Sequence, residues 1–275
     1  MTGLVRMLAA GGGLAVLATG SALACDLALQ GQAVQGGLVV GRAPIGASVE
    51  VAGNPVRVSS DGLFLAGFGR DAPQAVTISA RRPGAADIEC EIAVDPRTYK
   101  ISRIDGLPSR KVTPNPADVA RIRADNAAIG RVRKRDTPSA DFAGGFIWPL
   151  KGRISGVFGS QRILNGKPRR PHNGVDVAAP KGSMIVAPAP GVVALVHADM
   201  FLTGKTVMLD HGHGLTSVYI HMSEIAVKEN QRVEQGDAIG RVGMTGRATG
   251  PHLHWGVSLF RTHLDPALLA GPMKP

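Results

Sequence analysis

Apolar residues in this chain occur in short alternating runs, each broken by glycine or proline, a pattern that favours antiparallel β-structure over long helices. From Phe146 onward the runs SMIVAPAPGVVALVHA, TVMLDH, LTSVYIHM, AIGRVG and HLHWGVSLF follow one another with short Gly-rich links. Sequential strands joined by short links pair antiparallel, because parallel pairing needs long crossovers. Residues 25–95 carry the same signature in GLVVGR, ASVEVAG, PVRVSS, LFLAGF, AVTISAR and DIECEIAV, separated by turns at Gly53-Asn54-Pro55, Asp61-Gly62 and Pro83-Gly84. The 36 glycines and 19 prolines suit such a turn-rich chain. The expected fold is therefore mainly β. It comprises an N-terminal immunoglobulin-like β-sandwich over 25–95, a linker over 96–145 and a C-terminal antiparallel β-sheet domain over 146–275.

One helix interrupts this pattern. In PADVARIRADNAAIGRVRKR, Asn115 can cap and Pro116 can open a helix over about 116–134, with Val119, Ile122, Ile129 and Val132 along one face. The RVRKR run, Arg131 to Arg135, suits either an anionic-polymer patch or, better, a solvated helix end whose cations complement the helix dipole.

Residues 1–24 read as a secretory signal: Arg6, the apolar run MLAAGGGLAVLATG, and the small-residue step Ala22-Leu23-Ala24. Removal of that segment leaves no other stretch apolar enough to span a bilayer. The formal charge of +10 includes only one residue of the leader, so the mature chain stays strongly basic. In an exported, periplasmic or cell-envelope protein, this points to an anionic envelope surface rather than to nucleic acid. The two cysteines, Cys25 and Cys90, bracket the first β-region, and an oxidising compartment favours their pairing as a disulfide. The minority alternative is a lipidated Cys25, which would strand Cys90. No phosphate-binding or dinucleotide-binding glycine motif occurs.

The chemistry concentrates in histidines. In PHNGVDVAAP, His172 and Asp176 would lie about 13 Å apart on an extended chain, but the Asn173-Gly174 turn lets them converge, and both are natural zinc ligands. In GPHLHWG, His252 and His254 alternate on a strand and so share one face, about 7 Å apart. They suit two metal ligands, or one ligand beside a catalytic neighbour. In SVYIHM, Tyr219 and His221 would likewise share a face, with Tyr219 either lining a cleft or packed in a sheet. His211 and His213 of DHGHG read as turn or surface residues, and His197 and His263 lack a partner pattern.

HNGVD, YIHM and GPHLHWG, in this order and at these separations, resemble the lysostaphin/LytM-type zinc metallopeptidases, which cut peptide bridges in peptidoglycan. The surrounding text GVDVAAPKGSMIVAPAPGVV and VEQGDAIGRVGMTGRATGPHLHWGV is similar too, so the resemblance covers about residues 146–266. It implies that His172, Asp176 and His254 bind one Zn2+ per chain, and that His221 and His252 are catalytic. Three protein ligands leave a tetrahedral zinc one open position, which hydrolysis needs. No HExxH occurs, so a glutamate base is not indicated.

The expected function is zinc-dependent endopeptidase action on peptidoglycan stem peptides. The alternative is a catalytically silent envelope protein that binds or activates a wall amidase, although relatives of that kind typically lack metal ligands. A protease aimed at other substrates would keep the chemistry and change only the target.

Overall fold

A computed structural model describes residues 27–105 and 116–274. The expected leader, Cys25 and the expected cap Asn115 lie outside the described residues.

The chain is mainly β. Its largest sheet has eight strands, all paired antiparallel. From one edge to the other the strands are Arg232–Val233, Gly191–Met200, Gly204–Asp210, Leu215–Met222, His252–Leu259, Val175–Ala178 and Arg153–Gly156; Thr262–Leu264 also pairs with His252–Leu259. One face buries Tyr219, Trp255, Leu253, Val257 and Leu209 in the main core. The other face carries Met208, Val218 and Ile220, on which Ile129 and Val132 of the helix Pro116–Val132 pack. The apolar stripe of the helix therefore lies across the sheet face that also presents His254, since Ile220 and His254 are register partners.

The N-terminal strands form two antiparallel sheets. Ala28–Gly31, Leu38–Arg42 and Leu63–Gly67 make one; Asn54–Val56, Ser48–Val51, Ala75–Arg81 and Ile88–Ala93 make the other. Val39, Phe64 and Ala66 of the first meet Val49, Ile78 and Cys90 of the second in a shared core. The opposite face of the first sheet is not left to solvent. Leu38, Val40 and Leu65 join the core of the large sheet instead. Burial on both faces explains why GLVVG and LFLAG read as nearly continuous apolar runs. The segment after this region adds a strand, Ile101–Ile104, parallel to Gln161–Leu164.

DHGHG forms the expected turn between strands, but it is not at the surface: His211 and His213 are 0% and 3% exposed. Residues following the helix close over it. Thr137 accepts a hydrogen bond from the His213 N–H at 2.9 Å, and Asp141 donates its N–H to the His211 carbonyl at 3.1 Å. The His211 ring then ends a buried relay. Tyr219 donates to Ser217 Oγ (2.7 Å), Ser217 donates to His211 Nε2 (2.8 Å), and His211 Nδ1 donates to the Pro190 carbonyl (2.6 Å).

Burial holds the His211 pKa below its ordinary value despite the bond to Pro190. The unfolded chain binds this proton near pH 6.5, whereas the folded chain resists it. The stability is therefore fully present above the unfolded pKa and declines as pH falls below it. The urea midpoint is expected to drop between pH 7.5 and 5.5, with a shallower drop in His211→Gln. An equal drop in both proteins would contradict this assignment.

Candidate metal centre

Two elements bring the metal-ligand candidates together. Val175–Ala178 pairs with His252–Leu259 so that Asp176 stands directly opposite His254. Side chains at opposed positions of an antiparallel pair lie about 5 Å apart at Cβ, and here they meet: His254 Nδ1 is 2.8 Å from Asp176 Oδ1. His172 arrives from the loop before that strand. Its N–H donates to the Ser160 carbonyl and its own carbonyl accepts from the Gly159 N–H, both at 2.8 Å. Its Nε2 lies 3.1 Å from Asp176 Oδ1 and 2.9 Å from His254 Nδ1.

The donor set fits a metal ion. His172 commits its Nδ1 proton to the Val157 carbonyl at 3.0 Å, which leaves the Nε2 lone pair facing inward. Tetrahedral zinc with bonds of about 2.0–2.1 Å separates its donors by about 3.3 Å, close to the spacings seen here. Among the described residues, His172, Asp176 and His254 form the one His/Cys/Asp/Glu group able to hold an ion. Electrostatics agree. Burial would raise the Asp176 carboxyl, but the hydrogen bonds and charges of His172 and His254 hold it well below the usual carboxylate range. Burial opposes charge on His172, yet the bond and charge of Asp176 leave it raised; His254 is lowered, chiefly by burial. Such a carboxylate is ionised at any working pH, as a metal ligand must be.

Beside this trio, the rings of His221 and His252 stand 4.8 Å apart. Each Nδ1 donates to a backbone carbonyl at 2.8 Å, His221 to Thr245 and His252 to Gly250, so each Nε2 keeps its lone pair. His252 Nε2 is 4.0 Å from Asp176 Oδ1. Burial, only partly offset by the bond to Thr245, pushes the His221 pKa down to about 4, so its ring is neutral at pH 7.

One expectation fails here. Tyr219 and His221 do not share a face: Tyr219 is sealed in the core, while His221 meets His252. The cause is the His221 backbone, whose φ of +64° breaks the strand alternation. A left-handed conformation at a non-glycine residue costs energy and concentrates at functional sites. Two glycines also matter: Gly156, which motif reading did not single out, and Gly174, which it took only as a turn residue. A Cβ on Gly156 would stand 2.3 Å from Asp176 Oδ2; one on Gly174 would stand 2.3 Å from the Trp255 carbonyl oxygen and 2.9 Å from His254 Nε2.

The signature of Peptidase family M23 matches residues 170–266, the stretch holding all five residues. A solved Pseudomonas aeruginosa structure named for the M23 peptidases is 32% identical, with a TM-score of 0.68 over 87% of this chain and 96% of that one. The chain belongs to peptidase family M23. Among curated relatives, this M23 protein is 41% identical over 106 residues to the Vibrio cholerae peptidoglycan DD-endopeptidase ShyA, covering 38% of this chain and 24% of ShyA. It is 38% identical over 131 residues to the Neisseria meningitidis DD-carboxypeptidase/endopeptidase Mpg, covering 47% of this chain and 30% of Mpg. The chain thus spans under a third of these curated relatives.

Gly156→Ala is expected to push Asp176 away from the two histidines and weaken metal binding at least about tenfold, the usual scale for disturbing a ligand's support. Titration with zinc against a competing chelator measures this, and an unchanged affinity would contradict it.

Proposed function

We propose that this M23 protein is a zinc-dependent endopeptidase that hydrolyses peptide cross-links of bacterial peptidoglycan, with one zinc per chain on His172, Asp176 and His254. The observation that carries the reading is the convergence of three ligand atoms beside two histidines whose Nδ1 protons are already committed. The chemistry supplied by a zinc held there is acidification of water and polarisation of a carbonyl oxygen. The residues' own part is proton handling. The Nε2 atoms of His221 and His252 accept the proton from the attacking water and return one to the leaving nitrogen. The carbonyls of Thr245 and Gly250 keep each ring in the tautomer this needs. Burial keeps His221 neutral, hence able to accept, through the physiological range.

The substrate is carried over from the relatives, since the name of ShyA describes a peptidoglycan DD-endopeptidase and that of Mpg a DD-carboxypeptidase/endopeptidase. The basic chain fits attraction to an anionic envelope, and the leader-like residues 1–24 fit export to the periplasm. No described helix is long and apolar enough to cross a membrane. In the same reading, residues 25–95 form an immunoglobulin-like module, the metallopeptidase domain runs over 146–275, and a Cys25–Cys90 disulfide closes the first region, with Cys90 buried in its core. A complete ligand set argues against a catalytically silent role.

Incubation with purified sacculi and zinc should release new peptide termini, and a chelator should stop this reversibly. His221→Ala should keep its zinc and lose at least about a hundredfold in rate, the usual contribution of a positioned acid or base. Intact sacculi after treatment with zinc-loaded protein would overturn the proposal.

A further inference from the structure

His221 sits where the sheet does not fix it. The pairing of Gly204–Asp210 with Leu215–Met222 shifts register between Lys205 and Val207, opposite Ile220 and His221. His221 itself is left-handed, with φ +64°. Irregularities of this kind re-aim side chains beside active sites, and the conformation costs energy that neighbouring contacts must offset. Two loops supply those contacts. The His221 N–H donates to the Thr203 carbonyl at 2.8 Å, and the His221 carbonyl accepts a longer bond, 3.4 Å, from the Thr245 N–H.

The ring depends on the second loop as well. His252 finds the carbonyl for its Nδ1 proton on Gly250, two residues away, whereas the Thr245 carbonyl reaches His221 across 24 positions of chain. Connectivity holds the first pair together; the second needs an anchor. The Thr245 hydroxyl supplies it. Oγ1 donates to the Met222 carbonyl at 2.8 Å and accepts from the Lys205 N–H at 2.9 Å. One hydroxyl thereby ties the strand end carrying His221 to the turn that holds the His221 N–H. A threonine side chain is stiff at χ1, so fixing its hydroxyl at two backbone groups also fixes its main chain and the carbonyl that faces His221.

The two loops leave no slack. Gly204 and Gly246 both have φ +66°; a Cβ on Gly204 would stand 2.2 Å from Thr245 Oγ1, and one on Gly246 would stand 2.4 Å from the Gly204 nitrogen. The Arg247 N–H also donates to the Leu202 carbonyl at 2.8 Å. Behind the turn stands the helix Pro116–Val132, where Asp125 Oδ2 accepts from the Phe201 N–H at 2.8 Å. The turn is thus pinned from its far side, and Thr245 is clasped to a fixed support.

We propose that Thr245 is a positioning residue for His221: its hydroxyl clasps the two loops so that its carbonyl keeps the ring protonated at Nδ1. The proposal rests on the peptidase reading above, in which His221 accepts a proton through Nε2. A hydrogen bond at one ring nitrogen decides which nitrogen carries the proton. Loss of the hydroxyl frees the carbonyl to turn away, and a ring protonated at Nε2 has no lone pair there for the proton of water.

The test uses zinc-loaded protein with isotope-labelled histidine, in which long-range nitrogen–proton correlation spectra report the protonated nitrogen of each ring. Steady-state cleavage of a synthetic cross-linked stem-peptide dimer is measured alongside. Wild type should show His221 protonated at Nδ1 alone. Thr245→Val, equal in shape but without the hydroxyl, should mix the two tautomers and lower kcat roughly tenfold or more, the usual effect of removing a group that orients a working side chain. KM and zinc content should not change. Thr245→Ser should restore both readings, and Thr245→Ala, which differs from it only in the hydroxyl, should not. A valine variant that keeps the wild-type tautomer or the wild-type kcat, or a serine variant no better than alanine, would overturn the proposal. A wild type that leaves both dimer and sacculi intact would overturn the peptidase reading itself, and the tautomer comparison would still decide the role of Thr245.

Discussion

The structure turns on one cross-strand pair. Asp176 and His254 face each other because Val175–Ala178 and His252–Leu259 lock in a single register, and a slip of one residue would send both side chains into the core. Trp255, Leu253, Val175 and Val177, the alternating neighbours, are buried and enforce that register. Given this pair, His252 must share the face of His254, and His172 needs only a short turn to complete the trio. Gly156 and Gly174 are bare because the carboxylate and the ring occupy the space a Cβ would need.

The N-terminal region also braces the stretch that holds the metal-ligand candidates. Gly159, whose N–H holds the His172 carbonyl, has φ +76° and the Tyr99 ring packed where a Cβ would stand. Arg70 donates to the Gly159 carbonyl at 2.8 Å and lies over the Tyr99 ring. Arg97 pairs at 2.9 Å with the buried Asp265, which also caps the helix Pro266–Ala270 by accepting from the Ala267 N–H. A ligand loop is thus braced by residues over seventy positions earlier in the chain, and the two-sided burial of Leu38–Arg42 ties the same parts together through apolar contact.

Much of this was legible in the sequence because strand periodicity carries it. The alternation in HLH predicts one shared face, and Asn173-Gly174 predicts the turn that brings His172 to Asp176. Long-range register was not legible: nothing local says that Asp176 will oppose His254. The failures have physical causes as well. His221 leaves the face of Tyr219 because its backbone is left-handed, a state no side-chain pattern announces. DHGHG has the composition of an exposed turn, yet the connector residues around Thr137 and Asp141 fold over it. Arg133 sits in a run that reads as solvated, yet its Nε is buried beside Val132, which packs against the sheet.

The proposed function divides labour within one dipeptide spacing: His254 would hold the metal, and His252 would act on the substrate side. Zinc content and hydrolysis of sacculi, measured together on purified His254→Ala and His252→Ala, test it most directly. The account predicts that His254→Ala loses both zinc and activity, whereas His252→Ala keeps zinc and loses activity. Equal loss of zinc from the two variants would contradict it.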